Sequence, residues 1–170
     1  MYYRGIAFFD MDGVLADCSA RLPYERVKDY DNFYDPANVA QDTVNLKGRY
    51  FAKSLVSQGY KIIIVTSRSD RCKMATYFWL KENASVLNVR LRDIYMRREG
   101  DHRPSAIVKT ELVEKAILDN PGIFTAGLPF NYFVDDYVAN TAAVAQKFGN
   151  FIIPITFGTE RLCKEADSER

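Results

Sequence analysis

Four short stretches of the 170-residue chain put acids, hydroxyls and cations where apolar runs stop. The first is Asp10-Met11-Asp12-Gly13, directly after Ile6-Ala7-Phe8-Phe9. Two carboxylates one residue apart suit divalent-metal and phosphate chemistry. Asp10 could attack phosphorus as a nucleophile, and Asp12 could carry a proton to and from a leaving group. Gly13 lets the backbone turn sharply beside a bound anion. The second stretch is Thr66-Ser67-Arg68, after the β-branched run Ile62-Ile63-Ile64-Val65. Its hydroxyls and guanidinium are phosphate-binding groups. The third is the cation-rich segment from Arg97 to Arg103, followed by Lys109. The fourth is Asp135-Asp136, after Tyr132-Phe133-Val134. Adjacent carboxylates in one site repel each other unless a cation joins them.

The elements that must position these residues follow from periodicity. Apolar runs predict strands over 6–9, 61–65, 93–96, 131–134 and 151–153, the last leaving at Pro154 as an edge or exit residue. Between them, helical spacing predicts helices over 46–58, 70–83, 105–118 and 138–148. Asn45 or Thr43, Asp70 and Ser105 are the candidate N-caps, and Gly59 and Gly149 the stops. Phe51 and Leu55 in the first helix, Met74, Phe78 and Trp79 in the second, and Val108 and Leu112 in the third are expected to face the core. Strands alternating with helices imply a parallel sheet with right-handed crossovers, a Rossmann-like three-layer α/β/α sandwich. In such sheets ligands bind outside the carboxyl ends of the strands. All four stretches belong there.

Residues 16–44 form a long irregular segment rich in aromatics, with Tyr24, Tyr30, Phe33 and Tyr34. That content argues against disorder. It reads either as a loop packed over a core edge or as a lid whose rings could stack bases. The length fits one domain over 1–170, with 16–45 as a small cap insert.

A net charge of +1 provides no overall field for nucleic acid, so such a contact would need a local patch. Three unpatterned cysteines (Cys18, Cys72 and Cys163) fit a reducing, cytoplasmic setting. No run approaches the ~20 apolar residues of a membrane span. The N-terminal residues are expected to enter the first strand directly, without a signal peptide. His102 is the single histidine, which leaves no case for a zinc site. The polar tail over 164–170 is expected to fray.

The ordered set of Asp10, Thr66, Lys109 and Asp135-Asp136 resembles the haloacid dehalogenase superfamily of phosphohydrolases, over nearly the whole chain. More narrowly the chain looks like the 3′-phosphatase domain of phage polynucleotide kinase–phosphatases. The carrying residues are Arg21-x-Pro23-Tyr24, Thr66-Ser67-Arg68, Arg97-x-Glu99-Gly100-Asp101-x-Arg103 and Val108-Lys109-x-Glu111. The resemblance implies an aspartyl-phosphate on Asp10 and acid–base work by Asp12. It implies phosphoryl oxygens held by Thr66 and Lys109, and magnesium held by Asp10, the Asp12 carbonyl and Asp135 or Asp136. Asp136 is the favoured one of that pair, with Asn140 as its support. Arg21, Ser67, Arg68 and Arg97 become substrate-phosphate or active-site residues. Two departures stand out. Ser105 replaces the family's acid four residues before the lysine, and no Gly-x-x-x-x-Gly-Lys-Ser/Thr loop exists for a kinase half.

The expected function is a magnesium-dependent phosphatase with a short cap and an open site. Its substrate would be a 3′-phosphorylated polynucleotide end or a nucleotide. A 5′-nucleotidase, a small-metabolite phosphatase and a non-catalytic module that grips phosphorylated ends are the alternatives. No partner protein is inferable.

Overall fold

The structure, a computed structural model, describes residues 3–124 and 131–158. Cys163 and the polar tail over 164–170 lie outside the described residues. Five parallel strands form the central sheet: β1 (Gly5–Phe9), β4 (Tyr60–Ser69), β5 (Ile94–Arg97), β6 (Asn131–Asp135) and β7 (Ile152–Thr156), in the order β5-β4-β1-β6-β7. The short strands β2 (Ala16–Asp17) and β3 (Thr43–Val44) pair antiparallel beside it and close the base of the 16–44 segment. Between them run three short helices, α1 (Leu22–Arg26), α2 (Tyr30–Phe33) and α3 (Pro36–Ala40).

Alternation along the strands assigns side chains to two cores. Ala7, Phe9, Ile62, Ile64 and Val134 face α4 (Leu46–Ser57) and α5 (Lys73–Asn83), meeting Ala52, Leu55, Trp79 and Leu80. Ile6, Phe8, Ile63, Val65 and Phe133 face α6 (Ser105–Leu118) and α8 (Val138–Phe148), meeting Val113, Ala116 and Val144. Both sheet faces are therefore covered. That is why β1 and the middle of β4 read as continuous apolar runs rather than alternating ones. The helix α7 (Pro121–Phe124) follows α6. No helix among the described residues is long and apolar enough to cross a membrane.

Several boundaries and faces differ from the sequence expectations. Met74 and Phe78 are exposed, at 49% and 56%, instead of packing in the core. A short turn over Asp70–Cys72 delays α5 until Lys73, and Thr76, Trp79 and Leu80 make its buried stripe. Met74 and Phe78, four apart, share the opposite side. The cap of that turn is Ser69; Asp70 instead accepts the Glu99 amide at 3.0 Å and so hooks the loop after β5. Ser105 does not cap α6, whose capping position is Pro104. Its hydroxyl meets the Ser67 hydroxyl at 2.5 Å. The fourth strand runs on through Thr66, Ser67 and Arg68, because Ser69 pairs with Arg97 after a register shift. Phe151 falls before β7, and Pro154 lies inside it, tolerated because β7 is an edge strand.

Register aligns the strand ends. Phe9 lies opposite Ile64 on one side and Val134 on the other, and the Asp10 amide donates to the Val134 carbonyl at 2.9 Å. Asp10 and Asp135, the next residues on β1 and β6, and Thr66, two past Ile64 on β4, thus emerge together beside β1, where the winding direction of the sheet reverses.

Candidate active site

The loop after β1 is a tight coil. Its Met11 carbonyl accepts the amides of Val14, Leu15 and Ala16. Asn45 holds it from α4, donating to the Gly13 carbonyl at 3.1 Å while capping the Gly48 amide. Gly48 lets the helix come this close, since a Cβ there would lie 1.7 Å from the Val14 carbonyl oxygen. Asp10 is thereby presented from a fixed backbone.

Around Asp10 stands a buried ionic cluster. Lys109, on the first turns of α6, lies 2.6 Å from the Asp10 carboxylate and also pairs with Asp135. Asp135 accepts the Tyr137 amide and the Asn140 amide group, both at 2.9 Å. Asn140 therefore supports Asp135, not Asp136 as the sequence suggested. Oxygens of Asp10, Asp135 and Asp136 all lie within 4.8 Å of one another, an all-oxygen donor set suited to a hard divalent cation. Burial pushes the Asp10 carboxyl up to about 6; Lys109 opposes this, and the charges of Asp135 and Asp12 add to it. Burial alone would lower the Lys109 pKa, but Asp10 and Asp135 outweigh it and raise it above the usual lysine range.

A second cluster fixes Asp12. Arg21 grips Asp42 through two nitrogens, each at 2.7 Å, and reaches Asp12 at 2.7 Å and the Phe33 carbonyl at 2.8 Å. Its guanidinium also lies over the Phe33 ring, 4.6 Å from the centroid. Arg68 bonds Asp12 through both Nε and Nη2, and meets Asp42 at 2.6 Å. Burial opposes charge on Arg68, yet Asp12 and Asp42 together raise its pKa. All four residues are buried, with two positive and two negative charges. Asp42 is the member that sequence reasoning missed. It sits in an irregular segment, past no apolar run, and carries no motif spacing.

Of the remaining sequence candidates, Thr66 is buried and its hydroxyl accepts the Arg68 amide at 3.3 Å. Ser67 meets Ser105, as above. Arg97 donates to the backbone carbonyls of Ser67, Asp101 and Arg103, so it also braces its own loop. Asp10, Asp12, Thr66, Ser67, Arg68, Arg97, Lys109 and Asp136 all border one cavity of about 440 Å³; Arg21 and Asp135 stand behind its wall. Tyr30, Phe33 and Tyr34 of the 16–44 segment line it as well, with the Tyr30 and Tyr34 rings stacked at 18°.

Known proteins resemble the chain in family pattern and in fold. The family model of the polynucleotide kinase PNKP phosphatase domain matches residues 5–126. None of the curated proteins matches the chain. The fold is similar to that of a chain in a Pnkp1/Rnl/Hen1 complex, at TM-score 0.63 and 21% identity, covering 92% of this chain and 47% of that one. It is also similar to a dehalogenase, at TM-score 0.52 and 15% identity, covering 89% of this chain and 84% of that one. The chain thus spans less than half the length of the Pnkp1/Rnl/Hen1 component it matches. With a buried aspartate beside a buried lysine and paired acids at the ends of a Rossmann-like sheet, and with that family model spanning most of its length, the chain belongs to the PNKP phosphatase-domain family of haloacid dehalogenase-type phosphatases.

Proposed function

We propose that the chain is a magnesium-dependent phosphatase that hydrolyses a phosphomonoester through an aspartyl-phosphate on Asp10, acting on the 3′-phosphate of a polynucleotide or nucleotide. The observation that carries this is Asp10 at the tip of β1, 2.6 Å from Lys109 and within one group of three carboxylates, at the wall of an aromatic-lined cavity. Asp10 attacks phosphorus and the ester oxygen leaves, taking a proton from Asp12. Asp12 then takes a proton from water, which attacks the aspartyl-phosphate and releases inorganic phosphate and free Asp10. Thr66 and Lys109 hold the phosphoryl oxygens, whose charge is the main obstacle to attack by a carboxylate. The guanidiniums of Arg21 and Arg68 hold the Asp12 side chain in one orientation for both proton transfers.

Asp10 and Asp136 would hold the magnesium ion through their carboxylates. Asp12 would offer its backbone carbonyl, because its side chain is engaged by the arginines. Asp135 is already engaged by Lys109, Tyr137 and Asn140, so we favour Asp136 as the ligand. When bound, the ion neutralises charge between nucleophile and phosphate.

Gly13 offers a test of that assignment. Its φ is +79°, and a Cβ there would lie 1.9 Å from Asp136 Oδ2. Gly13→Ala is expected to displace Asp136, because the new methyl would occupy the place of its carboxylate, and to weaken magnesium binding at least about tenfold, the scale on which disturbing the surroundings of a metal ligand is felt. Isothermal titration with magnesium reads this directly; unchanged affinity would remove Asp136 from the ligand set.

Substrate class is tested by phosphate release from 3′-phosphorylated oligonucleotides, nucleoside 3′- and 5′-monophosphates and sugar phosphates. The highest kcat/KM is expected on the 3′-phosphorylated nucleotides. Preference for 5′-monophosphates or sugar phosphates would move the assignment to a nucleotidase or a small-metabolite phosphatase. Magnesium-dependent turnover of none of them would leave a binding module.

A further inference from the structure

The loop after β5 has a division of labour among its side chains. Arg97 is spent on three backbone carbonyls. Arg103 is clamped between Asp101 and Glu111, with contacts of 2.8–3.2 Å. The Glu99 amide is tied to Asp70, and Gly100 takes the positive φ of 78° that the turn requires. The loop backbone is therefore held before any ligand arrives. Two other basic side chains of this loop, Arg98 and His102, are exposed and line the cavity. Among the described residues they make no side-chain hydrogen bond or ion pair. Every other basic residue of the cavity wall (Arg68, Arg71, Arg97, Arg103 and Lys109) has an acceptor. Glu99 lies between them in the sequence and also lines the cavity. A phosphate arriving there meets a guanidinium that has no fixed partner to give up.

We infer that Arg98 and His102 form a second phosphate subsite, which takes the phosphodiester on the 5′ side of the terminal nucleotide. This rests on the phosphatase reading above. The cavity then has three parts within about 440 Å³: a reacting centre at Asp10, an aromatic wall at Tyr30 and Tyr34, and a basic pair on a braced loop. A nucleotide with phosphate on both sides matches that set: one phosphate at Asp10, the base beside the rings, the other phosphate at Arg98. A guanidinium fork suits the two unesterified oxygens of a phosphodiester. A loop already rigid loses little freedom on binding. A nucleoside monophosphate leaves the pair unused. The residues thus select a polynucleotide end over a mononucleotide, and they act on binding, not on chemistry.

The test compares thymidine 3′-monophosphate, the 3′-phosphorylated dithymidylate and a generic aryl phosphate, each with magnesium. The intact chain should show a KM about tenfold lower for the dinucleotide than for the mononucleotide, with similar kcat. The double variant Arg98→Ala/His102→Ala should lose that advantage, with turnover of the mononucleotide and aryl phosphate unchanged. Arg98→Lys should recover part of it. Both side chains are exposed, so the variants keep the fold. Aryl phosphate turnover with equal KM for the two nucleotides, or an equal loss on both in the variant, overturns the subsite alone. No turnover of any of the three overturns the phosphatase reading and the subsite with it.

Discussion

Asp10→Asn is expected to lower phosphatase turnover by at least about a thousandfold, the scale on which loss of a covalent nucleophile is felt, and yet to raise the stability of the cation-free protein at neutral pH. The first effect follows because the amide cannot form the acyl phosphate. The second follows from burial. The folded carboxyl takes up its proton at about 6 and the ordinary one near 3.8. Between those values the folded chain binds more protons than the unfolded chain. Stability therefore falls as pH rises from about 4 to about 6, and stays at the lower level above that. Asparagine stands in for the protonated acid and does not titrate, so the variant lacks this loss. Melting curves of both proteins in chelator should coincide near pH 4 and separate by pH 7, with the variant higher. Magnesium should then raise the melting temperature of the unaltered chain more than that of the variant, by mass action on the folded state. A variant that melts below the unaltered chain at pH 7 would show that the lost pair with Lys109 outweighs the burial of a charge.

That result concerns a residue already conspicuous in the sequence, and the reason is instructive. Asp10, Thr66, Lys109 and Asp136 were legible because each follows a buried run or opens a helix. The end of a parallel strand is the one place where a fold delivers distant residues to a common point. β1 and β4 were legible as continuous apolar runs, and the division of their side chains between two cores follows from strand geometry. Side-chain partners were less legible. Arg68 was marked by its place after a buried run and Arg21 by the family resemblance, but their engagement with Asp12 and Asp42 depends on how the 16–44 segment folds over the sheet. That segment has no periodicity to read. Asn140 is a nearer case. Its place on α8 was clear, but a one-residue choice between adjacent aspartates is decided by helix phase. The exposure of Met74 and Phe78 has the same origin, since a three-residue turn before α5 resets which face meets the core.

Asp42 carries the second large expectation. Asp42→Ala should destabilise the protein by about 3–5 kcal/mol, the scale of removing one partner from a buried ion pair. In the folded chain Asp42 accepts three hydrogen bonds from two guanidiniums that repel each other. Without it, Arg21 keeps Asp12 and the Phe33 carbonyl, and Arg68 keeps Asp12 and Thr76. One carboxylate would then face two buried positive charges. The bond from the Trp79 indole to the Asp42 backbone carbonyl survives the substitution, so the lost stability reports the side chain alone. In urea the midpoint should fall with little change in slope. The same clamp sets the orientation of Asp12, so aryl phosphatase kcat should fall while KM moves little. Asp42→Asn, which keeps the shape but not the charge, should lie between the two. Unchanged kcat in a folded Asp42→Ala protein would mean that Arg21 and Arg68 orient Asp12 unaided. A drop in kcat at full stability would mean that the buried charges relax around the gap. The expected outcome is the loss of both together, because the residues that hold the 16–44 segment to the sheet are the ones that aim the carboxylate proposed for acid–base work.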